Sequence, residues 1–172
     1  MSIGPCDWHV IDDELVVSSI QKNASTSLVT AFPNRIGAEQ ALTYPVRLAW
    51  IRHPLSRVKS VYSCLMGEEI DGETAWHNFV DHMLEVENVH WLPQMQRLYF
   101  GKEFVPTVLE RFEYIGKFWK QYCGKPLPVV NVSIPLYTDD YREKDLLEYY
   151  ETDLKVWLDC SDHLLYKSMI AS

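Results

Sequence analysis

Ile20-Gln21-Lys22-Asn23-Ala24-Ser25-Thr26-Ser27-Leu28 follows a short apolar run, Leu15-Val16-Val17-Ser18-Ser19-Ile20, that reads as a buried strand. Leu28, Val29 and Phe32 then fall at helical spacing. A strand, a turn of small residues with one lysine, and a helix make an anion cradle. The first amides of a helix point outward with partial positive charge and no intrahelical acceptor. Ser25, Thr26 and Ser27 add hydroxyl donors, Lys22 adds a full charge, and small side chains let an anion approach the backbone. The same residues also suit an ordinary capped helix, because Ser and Thr cap helices.

Outward from that stretch, strands alternate with helices. Residues 1–13 read as a polar lead-in, 14–20 as a strand and 25–32 as a helix stopped by Pro33. Residues 33–45 read as a loop with one helical turn. Residues 46–51 read as a second buried strand, and the repeat of Leu55, Val58, Val61 and Leu65 predicts a helix over 54–66, closed by Gly67. Trp76, Phe79, Val80 and Met83 predict another over 73–86. Phe104 to Leu109 reads as a strand weakened by Pro106. A helix follows from Phe112 to near Gly124, then a short strand over 129–132. Asp139-Asp140 caps one long last helix. The expectation is a single α/β domain over residues 1–172, with a central parallel sheet flanked by helices. Ligands in such sheets sit at the carboxyl ends of strands, which is where Lys22 and Arg52 fall.

Composition bounds the function. A chain of 172 residues with 47% hydrophobic and 23% charged residues can bury one sizeable core. Its formal net charge of −8 argues against nucleic acid or a broad polyanion surface as partner. It leaves room for a small anion in a local basic pocket. Aromatic residues reach 13% and read mainly as core. Cys6, Cys64, Cys123 and Cys160 are scattered, with no metal-ligand or disulfide spacing. No metal site, signal peptide or membrane span is expected, and the expected compartment is the cytoplasm. His9, His77, His82 and His163 read as surface residues.

A second basic cluster follows the second strand. Arg52 leaves that strand, and Arg57 and Ser60 stand three apart on the next helix, sharing a face. Together they can converge on one phosphate through guanidinium forks and a hydroxyl. Alone, the arginines would read as a solvated pair; two anion sites, each after a strand, are a stronger pattern.

Taken in order, these segments resemble the sulfotransferases that use 3′-phosphoadenosine 5′-phosphosulfate (PAPS), in the carbohydrate-acting branch. Residues 20–28 resemble that family's 5′-phosphosulfate loop. Arg52-His53-Pro54-Leu55-Ser56-Arg57-Val58-Lys59-Ser60-Val61-Tyr62 resembles its 3′-phosphate motif. His90-Trp91-Leu92-Pro93-Gln94, Phe112-Glu113-Tyr114-Ile115-Gly116-Lys117-Phe118, and Asn131-Val132-Ser133 with the last helix resemble further blocks. The chain departs from the pattern at Gln21, where Pro is usual, and at His53 and Trp119, where acids are usual. It resembles a minimal soluble member, of bacterial or phage type.

The resemblance implies a three-layer fold related to P-loop nucleotide kinases. It implies transfer of a sulfuryl group from PAPS to a hydroxyl or amine of a carbohydrate or other small acceptor. Lys22 would then meet the leaving oxygen. The amides of Asn23, Ala24, Ser25, Thr26, Ser27 and Leu28, with the three hydroxyls, would hold the phosphosulfate. Arg52 and Ser60, with Arg57, would hold the 3′-phosphate. The base that takes the acceptor proton is open among His90, Glu39 and His53, in that order. Two alternatives stand beside this reading. One is a P-loop-type nucleotide kinase, although the chain has no Gly-x-x-x-x-Gly-Lys-Ser/Thr. The other is a PAP- or PAPS-binding module without catalysis. The acceptor's identity and the oligomeric state are not readable.

Overall fold

The computed structural model describes residues 4–66, 72–124, 126 and 137–160. Its centre is β2 (Leu15–Ser19), which pairs in parallel with β4 (Val46–Ile51), which in turn pairs in parallel with β7 (Val108–Arg111). β2 and the second half of β4 are buried on both faces, as central parallel strands are, while β7 is only partly buried beyond Val108. On the other side of β2, β1 (Asp7–Val10) and β3 (Arg35–Ile36) pair antiparallel, giving the order β3-β1-β2-β4-β7. The sheet is therefore mixed, with a parallel core, and not wholly parallel as expected.

Residues 1–13 are a lead-in only in part. Trp8-His9-Val10 form half of a hairpin whose turn is stabilised by Asp12, which accepts the amides of Glu14 and Leu15 at 2.9 Å each. The acids at 7, 12 and 13 mask this strand in the sequence. His9 is 0% exposed, not a surface residue; its ring sits 2.6 Å from the Phe32 carbonyl, to which Nδ1–H donates.

The sheet separates two packed faces. Leu15, Val17, Leu48 and Trp50 point toward α1 (Ser25–Ala31) and α5 (Ile115–Cys123), meeting Leu28, Ile115, Phe118 and Trp119. Val16, Ile20, Ala49 and Ile51 point the other way, toward Ala38 and Ala41 of α2 (Ala38–Ala41) and the partly buried Val156 and Trp157 of α7 (Glu151–Asp159). This alternation along each strand produces a three-layer arrangement. A third apolar cluster joins α3 (Pro54–Met66), α4 (Glu73–Glu85) and α6 (Asp140–Tyr149) through Tyr62, Trp76, Phe79, Met83, Trp91 and Leu146. The expected core role of Trp91 holds.

Two spans differ from the sequence reading. The run 104–109 is broken at Pro106. Phe104 belongs to a small hairpin of β5 (Tyr99–Phe100) and β6 (Glu103–Phe104), and β7 begins at Val108. The last helix is two helices that meet at Tyr150, whose φ of −100° and ψ of 24° leave the helical region. The buried Tyr150 hydroxyl donates to the Trp91 carbonyl, and the break directs α7 across the strand ends. The expected strand over 129–132, Gly67 and His163 lie outside the described residues.

Burial lowers the pKa of His9 below its ordinary 6.5, outweighing the carbonyl bond that favours its charged form. The unfolded chain therefore takes up the proton first. This histidine's contribution is complete above about pH 6.5 and is lost as pH falls from there toward the folded value. Thermal melts across pH 5–7 are expected to show His9→Gln with a flatter decline in Tm on acidification than the wild type. Parallel declines would remove His9 from this account.

Candidate functional site

The turn after β2 is strained in a specific way. Lys22 and Ala24, neither a glycine, have φ of 68° and 58°. Each costs on the order of 1 kcal/mol against ordinary backbone, so the surroundings must hold them there. Asn23 does the holding. It is buried, its amide donates to the Ile20 carbonyl at 3.1 Å, and its side-chain Nδ2 donates to Trp50 O at 2.7 Å and Gln94 Oε1 at 2.8 Å. Asn23 is thus a tether. Leu28 N–H is also spent, on Ala24 O at 3.0 Å. Of the six amides expected in the cradle, those of Ala24, Ser25, Thr26 and Ser27 keep no acceptor among the described residues. No side chain caps the helix.

Gln94 ties this turn to the second strand end. It is 0% exposed, and its side chain makes four bonds. Oε1 accepts from Asn23 Nδ2 and from Arg52 N–H at 3.0 Å. Nε2 donates to Arg52 O at 2.8 Å and to Asp153 Oδ2 at 3.3 Å. Asp153, 1% exposed on α7, also accepts the amides of Gln94 at 2.6 Å and Met95 at 3.0 Å. Burial raises the pKa of this carboxyl, while the amides and the nearby Arg57 pull it back down.

The arginines divide into two roles. Arg57 is 1% exposed; its Nε donates to Gln21 O at 3.2 Å and its Nη1 to Leu92 O at 2.8 Å. It braces the cradle from behind, with Nη2 buried and without a hydrogen-bond partner among the described residues. Arg52 is half-buried. Nη1 donates to Lys22 O at 2.9 Å, and its guanidinium lies 5.2 Å from the centre of the Phe112 ring. Ser60 is buried on the same face of α3 as Arg57, one turn on. Among the described residues, no carboxylate forms a salt bridge with Lys22, Arg52, Arg57 or Arg97. Burial depresses the pKa of both Arg52 and Arg57; Glu113 pulls Arg52 back up while Arg57 pushes it down, and Tyr150 and Asp153 pull Arg57 back up while Arg97 pushes it down. In a chain of net charge −8, this is a concentrated positive site.

The three candidate bases fall in different places. His90, partly buried, lies close enough to Lys22 and Arg57 that both cations, after burial, push its pKa below 6.5. His53 lies on the Arg52 side, edge-on to Trp157 with centroids 4.8 Å apart; its pKa is also lowered, chiefly by burial. Glu39 is exposed on α2, which packs against β1 and β5, and no bond among the described residues joins it to the cradle. His90 thus lies within electrostatic range of Lys22 and Arg57, and Glu39 stands apart. Among the described residues, no cluster of His, Cys, Asp and Glu could hold a metal ion.

No protein-family model, curated protein or solved structure matches this chain. The site therefore rests on its own geometry. Sequence reasoning quoted Gln94 only within a motif and gave Asp153 no role. A signal for Asp153 was present: it falls seven residues after Leu146 on the buried stripe that includes Tyr150, where an unpaired acid would be costly.

Gln94→Ala leaves buried groups of Asn23, Arg52 and Asp153 unsatisfied together. The expected loss is about 3 kcal/mol or more, read as a lower urea midpoint at unchanged m-value. Gln94→Glu, of the same shape, is expected to destabilise as well, because an acceptor replaces the donor that faces Arg52 O and Asp153. A Glu variant as stable as wild type would show that packing, not bonding, sets the clamp.

Proposed function

We propose that this protein is a PAPS-dependent sulfotransferase acting on a hydroxyl or amine of a carbohydrate or other small acceptor. The observation that carries the reading is the set of unneutralised cations, Lys22 and Arg52 foremost, around four free amides at the ends of two adjacent parallel strands. That donor set suits phosphate-sized anions at two neighbouring strand ends. The order of the motifs along the chain, and the parallel core with helices on both faces, agree with the three-layer fold expected from the resemblance.

In this reading the amides of Ala24 to Ser27 and the hydroxyls of Ser25 and Thr26 hold the phosphosulfate. Arg52 and Ser60 hold the 3′-phosphate. Bound PAPS supplies an activated sulfuryl group on a good leaving group. His90, kept neutral near pH 7 by burial and by Lys22, accepts the proton of the acceptor hydroxyl as its oxygen bonds to sulfur. Lys22 offsets the charge that grows on the bridging oxygen as the S–O bond breaks, leaving PAP. Alignment does the rest, as in phosphoryl transfer.

Calorimetry is expected to give binding of PAP well above ATP; ATP binding without PAP binding would turn the reading toward a nucleotide kinase. With labelled PAPS and an acceptor panel, Lys22→Ala is expected to lower kcat about a hundredfold or more. Arg52→Ala is expected mainly to raise KM for PAPS. Wild-type PAP affinity with no transfer to any acceptor would favour a binding module.

Rate against pH is expected to rise with an apparent pKa below 6.5, because His90 must be deprotonated and its pKa is held down. His90→Gln should lower kcat about a hundredfold or more and abolish that acid limb. An unchanged limb in the variant would take the base role away from His90.

A further inference from the structure

A cleft of about 390 Å³ opens beside the cradle, with Gln21 and Thr26 in its lining. Ser19, Ser25 and Thr30 line it, Arg35 and Asp7 stand at its rim, and Arg97 forms part of its wall. Arg97 is the unusual member. It is 6% exposed, and its guanidinium makes one long hydrogen bond, Nη2 to Pro5 O at 3.4 Å. Its Nε and Nη1 are buried without a partner. A guanidinium has no neutral form to retreat to, so burying it so poorly satisfied is costly.

The neighbours supply no counter-charge. Cys6, whose amide donates to Arg97 O at 2.9 Å, is buried with its thiol pushed up to about 12, so it stays neutral. Asp7 is exposed and pairs with Arg35 at 3.5 Å. Arg57 adds a like charge.

We propose that this cleft is a second oxyanion site, which takes the carboxylate of a small hydroxylated acid. Arg97 supplies the charge from the wall of the cleft, with Nε and Nη1 buried behind it. Arg35 reinforces the rim, and the hydroxyls of Ser19 and Thr30 suit the ligand's own hydroxyls. The site does not depend on α1 as a helix terminus, since α1 has seven residues. It rests on the sulfotransferase reading in one respect only: the acid then lies beside the Ser25-Thr26 cradle, where an acceptor belongs. The net charge of −8 leaves room for a small anion in a local basic pocket, and Arg97 supplies such a local charge.

Glucuronate and glucose, which differ at one carbon, are the test pair. In titrations followed by the Arg97 Nε–H signal and by calorimetry, glucuronate is expected to bind and shift that signal, while glucose does neither. Arg97→Met is expected to weaken glucuronate at least about tenfold and leave PAP affinity unchanged. Thr30→Glu, an exposed change that removes no buried group, is expected to weaken glucuronate by placing a like charge at the mouth. It serves if Arg97→Met fails to fold. Equal binding of the two sugars, no binding of glucuronate, or full affinity in either variant would overturn the proposal. Glucuronate binding without PAP binding would uphold this site and sink the donor reading; the reverse result would do the opposite.

Discussion

Everything around the cradle depends on the Gln94 carboxamide. Among the described residues, it is the one side chain that bonds the turn after β2, the backbone after β4, and α7 together. Adjacent parallel strands fix where their ends lie, but not how the segments beyond them are turned. A carboxamide suits that task because it offers two donors and two acceptor sites in one plane. Here both donors and both acceptor sites are used. A carboxylate lacks the donors, an ammonium lacks the acceptors, and a hydroxyl is too short to span three segments. Asp153 completes the arrangement by accepting the backbone amides of Gln94 and Met95, which fixes the turn that carries the carboxamide.

This clamp explains how the protein tolerates its own electrostatics. Arg52, Arg57 and Arg97 repel one another through a poorly solvated region, and burial disfavours the charge on Arg57 and Arg52. Two non-glycine residues also sit at positive φ. Both features oppose folding, and neither is relieved by a salt bridge among the described residues. The compensation is Asp153 beside Arg57, the carbonyls of Gln21, Leu92 and Lys22 that accept guanidinium hydrogens, and the apolar cluster around Trp91 and Tyr150. Destabilising features kept at one place, and offset from several elements, are the pattern of a site preorganised for an anion.

The sequence made part of this legible. The apolar runs 15–20 and 46–51 showed two parallel strands because strands buried on both faces carry little else. The helix over 54–66 was clear from its stripe and from Pro54. The strand at Trp8-His9-Val10, between β3 and β2, was hidden because acids flank it and its middle residue is a histidine, buried through one carbonyl bond. The break at Tyr150 was hidden because Leu146, Tyr150, Leu154 and Trp157 keep helical spacing across it. The cause of the break is tertiary, a hydroxyl reaching Trp91. At the site, spacing located Lys22, Arg52 and Arg57 but could not separate an arginine that faces a ligand from one that braces a loop. Burial and bonding partners make that separation, and they come from Gln21 and Leu92, distant in sequence. Arg97 carried no signal at all: it is a lone arginine between Gln96 and Leu98.

The division of labour among the arginines has a physical logic. A ligand-binding cation must keep donors free and must be reachable, so it cannot be fully satisfied in the empty protein. Arg57 spends Nε and Nη1 on carbonyls, and although Nη2 has no partner the side chain is sealed, so its charge acts at a distance. It raises the local positive potential, and it helps keep His90 neutral. Arg52 spends one nitrogen on the Lys22 carbonyl and remains half-exposed, so a phosphate could use the rest of its fork. Because that one bond runs to the residue that precedes Asn23, an anion pulling on Arg52 also bears on the position of Lys22. On the proposed reading, a phosphate held by Arg52 would thereby bear on the geometry of Lys22. A seven-residue helix offers only a weak dipole for the same purpose, which leaves these full charges, and the carbonyls that aim them, as the main source of the site's field.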